Sequence, residues 1–138
     1  MKRVLVDINI ILDMLTKRED HESAAGIFEL CSKKSLKGYL CSHEITTLSY
    51  FLAKFSYSKQ TADQVIVGLL NTFTIIPTTE TILRDALNSP IGDYEDAVIE
   101  VSALKEEVDC IVTRNLSDFK SGRADSYTAA EVLSLLAE

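Results

Sequence analysis

Four short runs in the chain, Arg3 to Asp7, Gly38 to Cys41, Phe73 to Ile76 and Cys110 to Thr113, are apolar almost without interruption, and a weaker one lies near Asp125 to Tyr127. A strand with one face in water alternates apolar and polar residues. A run that does not alternate belongs to a strand covered on both sides, as in a parallel sheet sandwiched between helices. The intervening segments carry the other period. Ile8, Ile11, Leu12 and Leu15 fall at i, i+3, i+4 and i+7, as do Ala62, Val65, Ile66 and Leu69. Ile45, Leu48, Leu52 and Phe55, and likewise Ala97, Val101, Leu104 and Val108, repeat at helical spacing, so each set defines one apolar stripe. Thr128 with Glu131 makes a capping box for a last helix, and Asp93 with Asp96 caps a helix predicted to end near Val108. Pro77 closes the third strand, and Ser89-Pro90-Ile91-Gly92 is a turn. Strands alternating with helices predict an α/β fold with a parallel sheet of four to five strands joined by right-handed crossovers.

The 138 residues suit a single domain spanning 1–138, with no repeat, low-complexity tract or linker. A chain of this size buries roughly two-thirds of its surface on folding, so a core forms without disulfides. No segment approaches the ~20 apolar residues of a membrane span, and the apolar run after Lys2-Arg3 is too short for a signal peptide. These features predict a cytoplasmic protein. Cys31, Cys41 and Cys110 are an odd number without Cys-x-x-Cys or Cys-His spacing, which reads as buried thiols. With two histidines only, His21 and His43, any metal is expected to be hard and oxygen-ligated, Mg²⁺ or Mn²⁺. A net charge of −7 argues against a protein that coats nucleic acid through its overall field. It leaves room for a nuclease, because clustered carboxylates contribute that charge and a dication cancels part of it. The basic residues bunch at Lys33-Lys34-Lys37, Lys54-Lys59 and Arg114-Lys120-Arg123, where solvated helix ends explain them equally well.

Acids recur where the runs end. Asp7 follows Val4-Leu5-Val6 directly, at the strand mouth where open α/β sheets place their chemistry. Capping of the helix that follows is the competing role, and it explains Asn9 as well as any help to Asp7 would. Glu44 stands in a helix's first turn after Cys41-Ser42, with Thr47 one turn on; the helix dipole alone favours a glutamate there by ~0.3–1 kcal/mol. Asp93 and Asp96 stand at a helix start, and the run ending at Thr113 delivers Arg114, Asn115 and Asp118 at its own mouth. If the sheet is parallel, these mouths share one edge. Three or four carboxylates held there repel by several kcal/mol unless a cation sits among them, so the cluster implies the ion. Metal-assisted phosphodiester hydrolysis is the natural reaction.

The stretches Val4-Leu5-Val6-Asp7-Ile8-Asn9-Ile10-Ile11-Leu12-Asp13, Asp93-Tyr94-Glu95-Asp96-Ala97 and Ile111-Val112-Thr113-Arg114-Asn115-Leu116-Ser117-Asp118-Phe119, in this order, resemble the PIN domain family. Within it they resemble the toxin ribonucleases of bacterial VapBC-type toxin–antitoxin pairs. The resemblance covers nearly the whole chain. It implies a three-layer α/β/α fold, a Mg²⁺- or Mn²⁺-dependent endoribonuclease acting on RNA, a homodimer, and inhibition by a cognate antitoxin protein. By position, Asp7 and Asp96 match the first and third acidic ligands, and Asn115 and Asp118 are candidates for the fourth. The register of the second acid holds Thr47 here, with Glu44 one turn earlier on nearly the same face. The expected catalytic set is therefore Asp7, Glu44, Asp96 and Asp118, with Asp93 and Asn115 as further metal ligands and Asn9, Thr47, Thr113 and Arg114 in support.

A PIN-like module that binds RNA or protein with little catalysis is the second reading. A phosphoryl-transfer enzyme using Asp7 as nucleophile ranks lower, because Asn9 stands where such enzymes carry a second acid. A receiver-like phospho-acceptor is disfavoured too, since Arg114 follows Thr113 where a lysine is expected. Surplus apolar residues at Tyr50, Phe51, Phe55 and Tyr57 mark the expected dimer face.

Overall fold

The apolar runs all become strands of one sheet. The computed structural model describes residues 1–138. Its elements are β1 (Arg3–Val6), α1 (Ile8–Thr16), α2 (His21–Ser32), β2 (Lys37–Cys41), α3 (Ser42–Lys54), α4 (Lys59–Thr72), β3 (Thr74–Ile76), α5 (Glu80–Ala86), α6 (Tyr94–Glu106), β4 (Cys110–Val112), α7 (Leu116–Phe119), β5 (Ser126–Tyr127) and α8 (Ala129–Ala137). The strand order is β3-β2-β1-β4-β5, and every pairing is parallel. The chain winds outward from β1 through β2 to β3, then returns to the other side of β1 for β4 and β5. Its switch point lies between β1 and β4, where Val6 pairs with Val112.

Strand periodicity divides the core into two layers. Val4, Val6, Leu40, Cys110 and Val112 face a cluster built with α1, α2, α3, α4 and α8. Leu5, Tyr39, Cys41 and Ile111 face the opposite cluster, built with α5, α6 and α7. Successive side chains of a strand point to opposite faces, so a run apolar at every position feeds both layers. This is a three-layer α/β/α arrangement. All three cysteines are buried and free, and burial pushes the thiols of Cys31 and Cys110 up to about 11 and 12. No helix is long and apolar enough to cross a membrane.

Three differences from the sequence reading have simple causes. The helix expected to end near Val108 stops at Glu106, because Glu107 turns left-handed at φ 57° and donates its N–H to Ala103. Val98 and Ile99, outside the predicted stripe, are buried, whereas Leu104 is exposed, because α6 is enclosed on all sides along its middle, from Ala97 to Ala103. Phe73 belongs to the end of α4, its N–H bonded to the Leu69 carbonyl, and β3 begins at Thr74.

The close approach of α2 and Phe73 to β2 depends on Gly38. A Cβ there would stand 2.6 Å from the Cys31 sulfur and 2.7 Å from the Phe73 ring, distances no repacking of a rigid ring relieves cheaply. Gly68, in α4, has open space around its Cα. Gly38→Ala should therefore destabilise by about 1–3 kcal/mol through overpacking. Gly68→Ala should stabilise by up to about 1 kcal/mol through helix propensity. Urea unfolding midpoints of the two variants are expected to move in opposite directions.

Candidate active site

Three helices begin at the carboxyl rim of the sheet, and each brings an acid with it. Asp7 ends β1 and is the N-cap of α1, so the capping and site readings of this residue coincide. It is 4% exposed. Its Oδ2 accepts from the Thr113 hydroxyl at 2.8 Å, and its Oδ1 meets the Asn9 N–H only at 3.4 Å. Thr113 is itself buried, and its Oγ1 accepts from the Asn115 N–H at 3.0 Å. The end of β4 thus holds Asp7 in place across the switch point.

Glu44 lies in the first turn of α3 and is 1% exposed. One carboxylate oxygen, Oε1, accepts from the Cys41 N–H at 2.8 Å. The other, Oε2, is sealed from solvent and has no hydrogen-bond partner. Thr47 lines the same cleft one turn along, so both candidates for the second acidic position face it. From the third helix, Asp93 caps α6 by accepting from the Asp96 N–H at 3.0 Å. Asp96 is half-buried beside it.

Asp7, Asn9, Glu44, Thr47, Asp93 and Asp96 line one cleft of about 230 Å³, with Glu95 and the apolar walls Ile8, Phe51 and Ile99. The sequence reading places neither Glu95 nor Phe51 in the site; it assigns Phe51 to the expected dimer face. Glu95 accepts from the Thr47 hydroxyl at 3.4 Å; its one signal in the sequence is its place in the acidic first turn of α6. Asp118 is exposed in α7, outside the lining, yet its charge acts on both Asp7 and Asp96. Arg114 turns away, its Nη1 2.6 Å from Oδ1 of buried Asp13, and so ties the end of α1 to the end of β4. A larger hollow of about 370 Å³ lies at the amino ends of β2 and β3, lined by Lys34, Leu36, Lys37, Gly38, Thr72 and Thr74. It contains no acid and no unpartnered buried atom, so size does not locate the site.

The electrostatics of the cleft share one direction. Burial pushes the Asp7 carboxyl up, against the pull of the Thr113 and Asn9 hydrogen bonds, and the Asp118 charge adds to the rise. Burial and the neighbouring Asp7 charge push Glu44 well above the usual carboxylate range. Asp96 is pushed up to about 7 by burial and by the charges of Asp93, Asp7, Asp118 and Glu95. No Lys or Arg lines the cleft to answer them. The donors are all oxygens, and one is an orphaned buried carboxylate oxygen, so the residues suit a hard divalent cation. They are distributed around the cleft, and no three acidic, His or Cys side chains are already closed on a point.

A PIN domain family model matches residues 3–117, and the chain belongs to that family. Among solved structures, the chain is similar to one of VapBC2 from Rickettsia felis bound to a DNA fragment from its promoter, at 21% identity and a TM-score of 0.68, over 91% of this chain and 98% of that one. It is similar, at 20% identity and a TM-score of 0.68, to a toxin–antitoxin complex from Klebsiella pneumoniae, over 91% of this chain and 97% of that one. No curated protein matches the sequence.

The raised carboxyls fix a pH dependence. Asp96 ionises near 3.8 in a free chain but at about 7 in the fold. Between those values the folded state keeps a proton that the unfolded state has lost, so stability falls as pH rises through that window. In chelator, unfolding midpoints should be lower at pH 8 than at pH 5. Asp96→Asn should narrow the gap and melt above the wild type at pH 8, by roughly 2–4 °C per kcal/mol of repulsion relieved. A variant that melts lower at pH 8 would contradict this account.

Proposed function

We propose that this chain is a Mg²⁺- or Mn²⁺-dependent endoribonuclease and the toxin of a toxin–antitoxin pair. The observation that carries the catalytic part is Glu44. A carboxylate sealed in a cleft with one bare oxygen, beside Asp7 and Asp96, either keeps its proton or takes a compensating positive charge, and a divalent cation in the cleft would supply that charge. The toxin part rests on membership of the PIN family and on the likeness to the two toxin–antitoxin complexes. A cognate antitoxin protein is the expected partner.

In this reading Asp7, Asp96 and Glu44 hold the cation, with Asp118, Asp93 and Asn115 at the rim to complete its oxygen set. When bound, the ion supplies Lewis-acid stabilisation of the charge developing on the phosphoryl and leaving oxygens. The chain's own groups orient and move protons. The Thr113 hydroxyl fixes which Asp7 oxygen faces the cleft, and the Asn115 N–H fixes Thr113. The Cys41 N–H does the same for Glu44. A carboxylate of the set left free of the ion, with Asp118 exposed at the mouth, takes the proton from the attacking water. Asn9 and Thr47 contribute neutral polar groups to the wall, and Arg114 braces the scaffold through Asp13.

The open arrangement of the acids favours one other reading, a PIN module that binds RNA or protein and cuts poorly. Cleavage of an RNA substrate separates the two. Activity is expected with Mg²⁺ or Mn²⁺, to vanish in EDTA, and to fall at least about a hundredfold in Asp7→Asn and in Asp96→Asn. Mn²⁺ should also raise the melting midpoint of the wild type but not of the double variant. Cleavage that survives EDTA or both substitutions would reject the metal mechanism. Expression of the wild type should arrest growth, and Asp7→Asn should relieve the arrest.

A further inference from the structure

One face of α3 connects the acidic cleft to a row of exposed aromatic rings. Glu44, Thr47 and Phe51 line the cleft at i, i+3 and i+7, and Phe55 continues the series at i+11, as the C-cap. Phe51 stacks on Phe55 with ring centroids 6.0 Å apart and planes 21° apart. Tyr50 packs edge-on against Phe51 at 5.6 Å. The core accounts for only part of this row: Phe51 is half-buried against it beside Leu48 and Leu52, while Tyr50 is 63% and Phe55 39% exposed. Lys54 stands exposed in the last turn and takes part in no ion pair.

The side chains of the cleft offer no cation to the phosphates flanking the bond that is cut, since five carboxylates and no Lys or Arg line it. A strand held there needs contacts of another kind. Every base has a π-face, and stacking on aromatic rings is indifferent to the charge of the surroundings and tolerant of sequence. Bases in a duplex have already spent those faces on each other, so only an unpaired strand offers them. From Glu44 to Phe55 the helix face runs ~16 Å, enough for a few bases beside the bond that is cut. Charge changes sign along the helix, from Glu44 at the cleft to Lys54 in the last turn, beside this face.

We propose that Tyr50, Phe51 and Phe55 form a stacking track for the bases of an unpaired RNA strand entering the carboxylate cleft, with Lys54 meeting a phosphate. The assignment of the cleft as the cutting site rests on the nuclease reading above, but occupancy of the track is measured by binding alone. The probe is a fluorescently labelled, unstructured RNA hexanucleotide, compared with the same sequence closed in a duplex. Binding is followed by anisotropy in Mg²⁺ on full-length protein carrying Asp7→Asn, which keeps the strand whole. Tyr50→Leu and Phe55→Leu keep apolar bulk and remove the ring.

Each leucine variant should bind the unpaired strand about tenfold or more weakly. Tyr50→Phe should bind it like the parent, and the duplex should bind weakly throughout. Unchanged affinity in both leucine variants would overturn the track. So would equal affinity for duplex and unpaired strand. A second copy of the chain on this face would show as a dimer in sedimentation that Tyr50→Lys dissociates while strand affinity stays the same, which also overturns it. Ring-dependent binding by a protein that does not cut in Mn²⁺ would sink the nuclease reading and leave the track standing. Cutting in Mn²⁺ with ring-independent binding would do the reverse.

Discussion

Coverage of both faces of the sheet is the constraint from which the rest follows. With helices packed on each side, β1, β2 and β4 have no solvent-facing surface on which to place polar chemistry, and only the strand ends remain. In a parallel sheet the carboxyl ends all lie on one rim, and the reversal of winding between β1 and β4 opens a crevice there. Asp7 and Thr113 are the first residues beyond those two strands, and the register that pairs Val6 with Val112 sets them side by side.

The same rim is where helices start, so a capping position and a place in the cleft are compatible. Asp7 caps α1, Glu44 sits in the first turn of α3, and Asp93 caps α6 ahead of Glu95 and Asp96. Each helix N-terminus favours a nearby anion by ~0.3–1 kcal/mol, which recruits acids to these positions whatever the protein does. Magnitude decides what happens when several meet. Like charges 4–8 Å apart repel by roughly 2–4 kcal/mol per pair at an effective dielectric of about 20. Helix dipoles do not offset that for a group of carboxylates, and burial, with this repulsion added, raises Asp96 to about 7. Capping explains why each acid is there; it does not explain why they share a cleft.

What the sequence revealed followed the strength of its signals. The strands and Asp7 were readable because unbroken apolar runs and an abrupt acid leave few alternatives. Helix α2 was not read, although Ala24, Ile27 and Cys31 are its buried stripe, because alanine and cysteine contrast weakly with their neighbours and its N-cap Asp20 makes no side-chain capping bond. Short α5 buries only Ile82 and Ala86, too few positions to show a period. In the site, Asp7, Glu44, Asp93 and Asp96 were named from position alone, whereas Glu95 and Phe51 enter the cleft by the relative placement of α3 and α6. That placement is tertiary and leaves no local trace. Asp118 was readable as an acid after a strand, but its exposure on α7 depends on how the last turn of that loop is laid down.

Two buried glutamates show how the fold distinguishes structure from chemistry. Glu100 on α6 is 0% exposed, and its oxygens accept from the Ser89 hydroxyl at 2.7 Å, the Arg123 N–H at 2.6 Å and the Arg123 guanidinium at 2.7 Å. Burial pushes its carboxyl up, but these donors together outweigh burial and hold it below the usual range. Even Gly122 is fitted to it, since a Cβ there would come 2.7 Å from Oε2. Glu44, equally buried, has the Cys41 N–H on Oε1 and the Ile8 N–H nearby, yet Oε2 makes no hydrogen bond and burial still pushes its carboxyl well above the usual range. The chain thus saturates a buried carboxylate where the role is to anchor α6 to its flanking loops. An unsaturated carboxylate costs roughly 1–3 kcal/mol or more, a cost with no structural return. Its position is the rim where Asp7 and Asp96 also gather, and no Lys or Arg lines that cleft to partner it.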